Sequence, residues 1–304
     1  MPALPALPPS VRLAEGRGGL ACVRVETPHA TAEVYLHGAH VTAWQPSGQE
    51  PVLWTSAASR FEAGAPIRGG VPICFPWFGA HPAAADAPAH GWARTTAWEL
   101  RGAAEDASGD VTLELGLADS DATRASAWPH RFAATYRVTV GGTLRLELAV
   151  TNHDDAPVTL TDALHTYLAV GDVRGVTVEG LEGASYVDKA PASGGPVDAR
   201  QGDEPVRFTA ETDRVYASGA TVRVVDPALD RTVTVAKDGS GSTVVWNPWV
   251  GKARAMADLG DDEWPGMVCV EAANVGAAAV HLAPGATHRL VQSLVVATGA
   301  GDTA

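Results

Sequence analysis

Apolar and polar residues alternate with a period of two through much of this chain. The run 111–117 shows the alternation, and two longer runs, 132–140 and 143–150, are separated only by Gly141-Gly142. A period of two places one face of a strand against a core and the other toward water. A Gly-Gly connection between two such runs is typical of a β-hairpin. These segments therefore predict paired antiparallel strands.

The same type of run recurs along the rest of the chain, at residues 175–178, 220–225, 231–236, 243–246, 267–271 and 290–297. No segment shows a sustained apolar stripe with a period of 3.6, and only a short helical turn is expected, near residues 56–63. Many strands without intervening helices favour an antiparallel β-sandwich or barrel over a parallel sheet built from βαβ units. The fold class predicted from the residues is therefore all-β.

The domain organisation predicted from the sequence is a single β-domain over residues 19–298. The stretch before it, 1–18, is rich in Pro and Gly and is expected to be a mobile tail, and the small, polar residues 299–304 are expected to fray. A Gly-, Pro- and Asp-rich stretch, 190–205, is expected to be a surface loop because strand-like runs flank it closely. A domain of this length is ordinary for an all-β fold.

Charge and cysteine content exclude several kinds of partner. The 35 acidic and 22 basic residues give a formal charge of −13, which repels nucleic-acid phosphates and anionic membrane surfaces. No apolar run reaches the ~20 residues of a membrane helix, and no secretory signal is recognisable. The three cysteines, at 22, 74 and 269, form no close pair. We therefore expect a cytoplasmic protein, a monomer, with neither a nucleic-acid nor a membrane partner.

Several motifs of common enzyme classes are absent from the sequence. It contains no GxGxxG after a strand, no GxxxxGK[ST], no HExxH and no GxSxG, which argues against nucleotide binding and the common hydrolases. The ten histidines have no tight ligand spacing, although His37 and His40 are close together. We therefore expect neither a metal nor another cofactor.

Residues 66–79 combine three prolines, three glycines and three aromatic residues with one cation, Arg68. Such a segment cannot pair regularly, so it forms either a shaped binding surface or a loop that caps one end of the fold. Arg68 favours a site, because a guanidinium can bind a carboxylate or a phosphate with two parallel hydrogen bonds.

A second segment, 89–94, places His90 and Arg94 on either side of a Gly-Trp pair. These residues occur in binding loops and in solvated surface loops, and taken by itself the segment favours the solvated loop.

Two strand-like segments carry groups suited to acid–base chemistry. In an extended chain His165 and Tyr167 point to the same face. Similarly, Val268 and Val270 share one face of the run 267–272, and Glu271 lies on the other. A carboxyl group in an otherwise apolar strand acquires a raised pKa when it is buried, toward the range of a general base. The alternatives are a structural histidine and a glutamate on a surface strand.

Together, these segments resemble the aldose 1-epimerase (galactose mutarotase) superfamily, and specifically its hexose-6-phosphate mutarotase branch. The resemblance spans about residues 20–297. One departure is Ala89, where many relatives have Gln. The motifs that carry the resemblance occur in the family's order. They are IRGGVPICFPWFG (67–79), HGWAR (90–94), LHTY (164–167), TDRVY (212–216), VWNP (245–248) and CVEA (269–272).

This resemblance implies a fold, a reaction and a set of site residues. The fold is a large antiparallel β-sandwich of the supersandwich type, and the reaction interconverts the α and β anomers of hexose 6-phosphates, most simply glucose 6-phosphate. His165 is then the general acid and Glu271 the general base. Arg68 and Arg94 resemble the phosphate-binding arginines, and Asp213 and His90 contact the sugar. No cofactor is implied.

Three alternatives remain open from the sequence. They are an aldose 1-epimerase for free sugars, a non-catalytic sugar-phosphate-binding protein, and a metal-dependent sugar isomerase or a glycosidase. If the acid–base pair is correct, we expect a bell-shaped pH profile with Glu on the acid limb and His on the alkaline limb, the order of their unperturbed pKa values.

Overall fold

Strands are the main regular secondary structure of the chain, and they extend beyond the runs recognised in the sequence. The computed structural model describes residues 7–192 and 194–299. The first nine strands are β1 (Val11–Glu15), β2 (Ala21–Glu26), β3 (Ala30–Tyr35), β4 (His40–Pro46), β5 (Ile73–Cys74), β6 (Glu99–Glu105), β7 (Val111–Ala118), β8 (Phe132–Val140) and β9 (Thr143–Asn152). The next seven are β10 (Val158–Leu160), β11 (Asp162–Leu164), β12 (Tyr167–Ala169), β13 (Thr177–Glu179), β14 (Ser185–Asp188), β15 (Val197–Arg200) and β16 (Val206–Arg207). The last seven are β17 (Thr212–Tyr216), β18 (Val222–Asp226), β19 (Arg231–Asp238), β20 (Ser242–Asn247), β21 (Met267–Asn274), β22 (Val280–Leu282) and β23 (Thr287–Thr298).

Helices are few and short in the described residues. The α-helices are α1 (Asp121–Arg124) and α2 (Trp249–Arg254). Single 3₁₀ turns occur at Arg17–Gly19, Ala93–Thr95, Val173–Gly175, Trp264–Gly266 and Gly276–Ala278. None of the described helices has the length and apolar character that a membrane crossing would require.

The strands form two large sheets. The front sheet has the order β15-β14-β17-β20-β21-β11-β5, with β12 also paired to β21, and the back sheet has the order β16-β13-β18-β19-β23-β9-β8-β7-β6. A four-stranded N-terminal sheet, β1-β2-β3-β4, and a small β10-β22 pair complete the fold. The paired strands in all four sheets run antiparallel. The all-β, antiparallel prediction is therefore confirmed.

The main core lies between the front and back sheets. Alternate residues of the back-sheet strands point into it, as in β8, where every second side chain is buried. From the front sheet, Val268, Val270 and Ala272 of β21 join the same cluster. Burial of this apolar face, at about 25 cal/mol per Å², is the dominant stabilisation of the two-sheet arrangement.

Strand β21 is buried on both faces, which is unusual for a strand of an antiparallel sheet. Its second face carries Cys269, which joins a smaller cluster with Tyr167 and Trp246, and Glu271, which lines a cleft. The predicted separation of Val268 and Val270 from Glu271 is therefore confirmed.

The predicted hairpin is confirmed, in a part of the sequence where apolar and polar residues alternate regularly. The predicted hairpin is formed by β8 and β9, with Val140 opposite Leu144 across the Gly-Gly connection.

Three local predictions require correction. The expected tail is shorter than 18 residues, because β1 pairs with β2; its first part, residues 1–6, lies outside the described residues, as does 300–304 of the expected C-terminal fray. Residues 56–63 form turns and no helix. The expected loop 190–205 contains β15, which pairs with β14 at the edge of the front sheet.

Candidate active site

A cleft of about 260 Å³ opens on the face of the front sheet that points away from the core. It contains all of the site residues predicted from the sequence except Arg94. The residues that line it are Arg68, Phe78, Gly79, His90, His165, Lys189, Asp213, Val244, Trp246, Lys252, Met256 and Glu271.

Glu271 lies at the centre of this cleft on β21, opposite Val244 of β20. Its side chain is 1% exposed, and neither carboxylate oxygen has a hydrogen-bond partner among the described residues. Burial raises the pKa of Glu271 well above its usual range, and the nearby charge of Asp213 adds to this effect, whereas Lys189 and Arg94 oppose it. A buried carboxyl group without a partner is costly to fold, so this arrangement points to a chemical role.

His165 faces Glu271 from a break between β11 and β12. Its Nε2 lies 3.3 Å from Oε1 of Glu271, and its Nδ1 has no hydrogen-bond partner in the described part of the chain. The imidazole stacks on Tyr167 at 4.8 Å with an interplanar angle of 10° and meets Trp246 edge-on. Burial lowers the pKa of His165 well below its usual value, and the neighbouring His90, Arg68 and Arg94 lower it further.

The pKa of His165 is lowered and that of Glu271 is raised, and burial is the main cause of both shifts. Burial disfavours both the imidazolium and the carboxylate, so it favours a neutral imidazole beside a protonated carboxyl group. Such a pair can give a proton to one atom and accept one from another, and its macroscopic pKa values belong to both groups together.

His90 lies in the cleft with its ring 5.7 Å from that of His165. The backbone N–H of Gly79 donates to its Nδ1 at 3.3 Å, and the Cys74 thiol lies 3.4 Å from the same atom. An accepting Nδ1 assigns the ring proton to Nε2. Burial first, and then the charges of Arg94, Lys189 and Arg68, lower the pKa of His90 to about 3. The ring is therefore a neutral hydrogen-bond donor.

Gly91 allows this loop to approach the preceding one closely. Its φ is +71°, and a Cβ at this position would lie 2.1 Å from the carbonyl oxygen of Phe75.

The sequence offered two interpretations of residues 66–79, a cap at one end of the fold and a binding surface, and each describes part of the segment. Phe75 packs in the core, whereas Phe78 and Gly79 line the cleft.

Arg68 lies at the edge of the cleft, and much of its guanidinium is already bound. Its Nε and Nη2 donate to Asp258 at 3.2 and 3.0 Å, and its Nη1 donates to the Tyr167 hydroxyl at 2.9 Å. A guanidinium has five N–H donors, so two remain for a ligand. The charge of Arg68, however, is largely balanced by the Asp258 carboxylate.

The structure places Arg94 in the 3₁₀ turn Ala93–Thr95, outside the residues that line the cleft. Its Nη2 donates to the carbonyl oxygen of Ala89 at 2.8 Å, within its own loop. Its charge nevertheless acts on the pKa values of His165 and Glu271.

Asp213 of β17 lies opposite Trp246 of β20 and is half-buried. Burial raises its pKa, and the charges of Lys189 and Lys252 oppose that shift. An ionised carboxylate beside two cations is suited to accept hydrogen bonds from sugar hydroxyls.

Two cations of the cleft, Lys189 and Lys252, were not singled out from the sequence. Lys252 is paired with Glu211 at 2.8 Å. Lys189 lies over the Phe78 ring at 4.9 Å and forms no salt bridge within the described ranges. Since the chain has only three lysines, the rarity of the residue was the signal that could have marked them.

Comparisons with known proteins identify relatives of this chain. A sequence profile of the aldose 1-epimerase family matches residues 21–295. A provisionally named glucose-6-phosphate 1-epimerase of Salmonella typhimurium is 40% identical over 252 residues, which are 81% of each chain. The crystal structure of YeaD, a provisionally named mutarotase from the same organism, has a TM-score of 0.88 at 35% identity and covers 98% of this chain and 97% of that one.

A more distant structure shows the same fold. A galactose mutarotase-like protein from Clostridium acetobutylicum has a TM-score of 0.70 at 14% identity, covering 95% of this chain and 98% of its own.

Proposed function

The chain belongs to the aldose 1-epimerase family, and from this premise we propose that it interconverts the α and β anomers of a hexose 6-phosphate. The observation that carries the proposal is the contact between His165 and Glu271 inside the cleft. Two buried titratable side chains with no other hydrogen-bond partner in the described part of the chain, and with pKa values shifted in opposite directions, are typical of acid–base catalysis.

The reaction requires two coordinated proton transfers. One group removes the proton of the C1 hydroxyl while the other gives a proton to the ring oxygen, and the C1–O5 bond breaks to give the open-chain aldehyde. Rotation about the C1–C2 bond presents the other face of the aldehyde. O5 then attacks C1, and the proton transfers run in reverse. The net protonation of the pair is unchanged at the end.

The proposed roles are Glu271 as the base at the C1 hydroxyl and His165 as the acid at the ring oxygen. Within the cleft, burial favours a neutral imidazole and a protonated carboxyl group. These roles therefore require the proton of the pair to lie on His165 when the reaction begins, and Nε2 and Oε1, 3.3 Å apart, face the same sugar. Each positioned acid or base contributes about 10²- to 10⁴-fold in rate.

The sugar and its phosphate are proposed to contact the remaining polar groups of the cleft. His90, as a neutral donor, and Asp213, as an acceptor, are suited to hydroxyl groups. The phosphate, with close to two negative charges, needs cations, and the cleft offers Arg68 and Lys189. A phosphate contact from Arg94 stays a prediction, and its position in the loop favours an indirect effect.

An aldose 1-epimerase for free sugars is the second candidate. The balance of Arg68 by Asp258 and of Lys252 by Glu211 supports it, because both pairs reduce the positive charge available to a phosphate. Lys189 favours the phosphorylated sugar, because it lines the cleft and forms no salt bridge among the described residues. A non-catalytic binding protein would need neither His165 nor Glu271 in titratable form.

The proposed function is tested by following a pure anomer of glucose 6-phosphate to equilibrium, with a dehydrogenase that consumes one anomer as the reporter. We expect the protein to accelerate equilibration far above the spontaneous rate, and to do so better for glucose 6-phosphate than for glucose. Protein dialysed against a chelator should be equally active, because the acid–base pair supplies both proton transfers. An unaccelerated approach to equilibrium would reject the proposal, and a faster reaction with free glucose would favour the second candidate.

The pKa shifts also predict the pH dependence of kcat/KM, which reports on the free enzyme. Below the lower macroscopic pKa both groups are protonated and no base remains; above the higher one both are deprotonated and no acid remains. The profile should therefore be bell-shaped. Burial lowers the pKa of His165 and raises that of Glu271, so we expect the order to be the reverse of that expected from the sequence, with protonation of His165 as the acid limb and deprotonation of Glu271 as the alkaline limb.

Temperature distinguishes the two assignments, because ionisation of an imidazole absorbs much more heat than that of a carboxyl group. The apparent pKa of the acid limb should change with temperature, while that of the alkaline limb stays nearly fixed. The substrate phosphate ionises with a second pKa of about 6, so its titration is measured separately by ³¹P NMR and subtracted. A temperature-independent acid limb would restore the order expected from the sequence.

A further inference from the structure

The hydrogen-bond ladder between β21 and its partners is interrupted at the position of the acid–base pair. Leu164 lies opposite Ala272, and Tyr167 lies opposite Cys269, so a regular ladder would pair Thr166 with Val270. Only half of that pair exists: the N–H of Val270 donates to the carbonyl oxygen of Thr166 at 3.1 Å.

The other half is lost because the backbone bends at His165. The N–H of Thr166 instead donates to the carbonyl oxygen of Leu164 at 3.0 Å, and the N–H of His165 donates to the carbonyl oxygen of Pro72 at 3.0 Å. The carbonyl oxygen of Val270, in a fully buried strand, therefore lacks its ladder donor. A buried carbonyl group without a donor is strongly unfavourable.

A side chain from the opposite sheet supplies the missing bond. Nε2 of Gln292, on β23 of the back sheet, donates to the carbonyl oxygen of Val270 at 3.1 Å. The hydroxyl of Thr166 donates in turn to Oε1 of Gln292. One amide thus bridges the two segments that carry His165 and Glu271.

Gln292 is a polar residue in an apolar layer. Its side chain is 0% exposed, and the residues two positions away on the same face of β23, Leu290 and Leu294, are equally buried and belong to the main core. An apolar residue of similar length would fit this layer more simply, but it could not satisfy the carbonyl group of Val270.

We propose that Gln292 is a positioning residue for catalysis, which holds the bend at His165 in register with Glu271. It touches neither the cleft nor a substrate, and it acts through the backbone of Val270 and the hydroxyl of Thr166. The inference rests on the proposed function for its kinetic consequence. Its structural part, the placement of the imidazole beside the carboxyl group, does not depend on which sugar is bound.

The test compares Gln292→Met with Leu294→Met. Both place a methionine in the same layer of β23, but only the first removes hydrogen bonds to the catalytic segments. Gln292→Met should lower kcat roughly 10-fold, because small displacements of reacting groups can cost up to about 10²-fold, and should leave KM little changed. Leu294→Met should retain the wild-type kcat. Urea unfolding of both variants shows whether each is folded under assay conditions.

A second readout needs no substrate. Titration of the His165 imidazole by NMR reports its surroundings directly, and loosening of the bend should admit water and move its pKa upward toward 6.5. Thr166→Val removes the hydrogen bond from the Thr166 hydroxyl to Gln292, and it should likewise lower kcat and raise the pKa of His165. This variant is measured in place of Gln292→Met if Gln292→Met does not fold. The double variant should lose less than the product of the two single losses.

The outcomes separate the two proposals. A lower kcat and a shifted His165 titration in Gln292→Met, with neither in Leu294→Met, support the positioning role. Wild-type kcat and titration in Gln292→Met, or equal losses in both methionine variants, overturn it. A wild-type protein without anomer interconversion rejects the proposed function, and in that case the NMR titration still decides whether Gln292 places His165.

Discussion

Replacing Glu271 by Gln should lower kcat for anomer interconversion by about 10²- to 10⁴-fold without loss of the fold. The amide is nearly isosteric with the carboxyl group but can neither accept nor carry the transferred proton. The protein loses no hydrogen bond by this change, because the carboxylate oxygens have no partner among the described residues. The measurement is the initial rate of equilibration, with circular dichroism and urea unfolding as checks on the fold.

Two further variants make this experiment decisive. His165→Asn should cause a loss of similar size, and the double variant should be about as slow as either single one, because groups that act as a unit are strongly non-additive. Glu147→Gln is the control, because Glu147 is a half-buried carboxylate of the back sheet that pairs with Arg137 and Arg145. Near-normal rates in Glu271→Gln would reject the catalytic assignment.

Replacing Lys189 by Met should reduce the preference for a phosphorylated sugar over the free sugar by roughly 10- to 100-fold. This range corresponds to one charge-assisted hydrogen bond, about 1.5 to 3 kcal/mol. The reason is electrostatic: Arg68 and Lys252 form salt bridges with Asp258 and Glu211, whereas Lys189 forms none among the residues described, although Asp213 lies nearby. The measurement is the ratio of kcat/KM for glucose 6-phosphate and for glucose.

The controls come from the other cations of the chain. Lys237→Met removes a lysine that lies on the back sheet and donates to Thr243, away from the cleft, and should leave the ratio unchanged. Arg94→Ala should lower both kcat/KM values together if Arg94 acts through its loop. A changed ratio in Arg94→Ala with none in Lys189→Met would instead support the arginine clamp expected from the sequence.

The regular parts of the fold were predictable because strand alternation is local. Each residue of a strand points opposite to its neighbours, so the hairpin of β8 and β9 and the two faces of β21 follow from the sequence directly. The prediction was wrong where short strands lie in Gly- and Pro-rich sequence, as in β15. That strand exists because β14 offers it an edge, and no local pattern records the presence of a partner.

The residue types of the candidate site were also recognisable, but not their relations. His165 was placed on a regular strand, whereas the backbone bends there and donates to Pro72. Arg68 was expected to bind a carboxylate or a phosphate, but the sequence could not show that Asp258, 190 residues away, binds its guanidinium. The lysines of the cleft passed unnoticed, because a cation by itself carries no indication of what it faces.

The sequence by itself determined the strands, the all-β class and the family motifs, because these depend on spacing along the chain. Only the tertiary structure decided how the chemistry is assembled. It brought His165 to 3.3 Å from Glu271, buried both groups so that their pKa values moved in opposite directions, and left Lys189 without a salt bridge among the described residues. It also placed Gln292, 126 residues from Thr166, behind the pair. Burial and contacts of this kind arise only when two sheets pack together, so they are properties of the packed fold and cannot be read from any one segment.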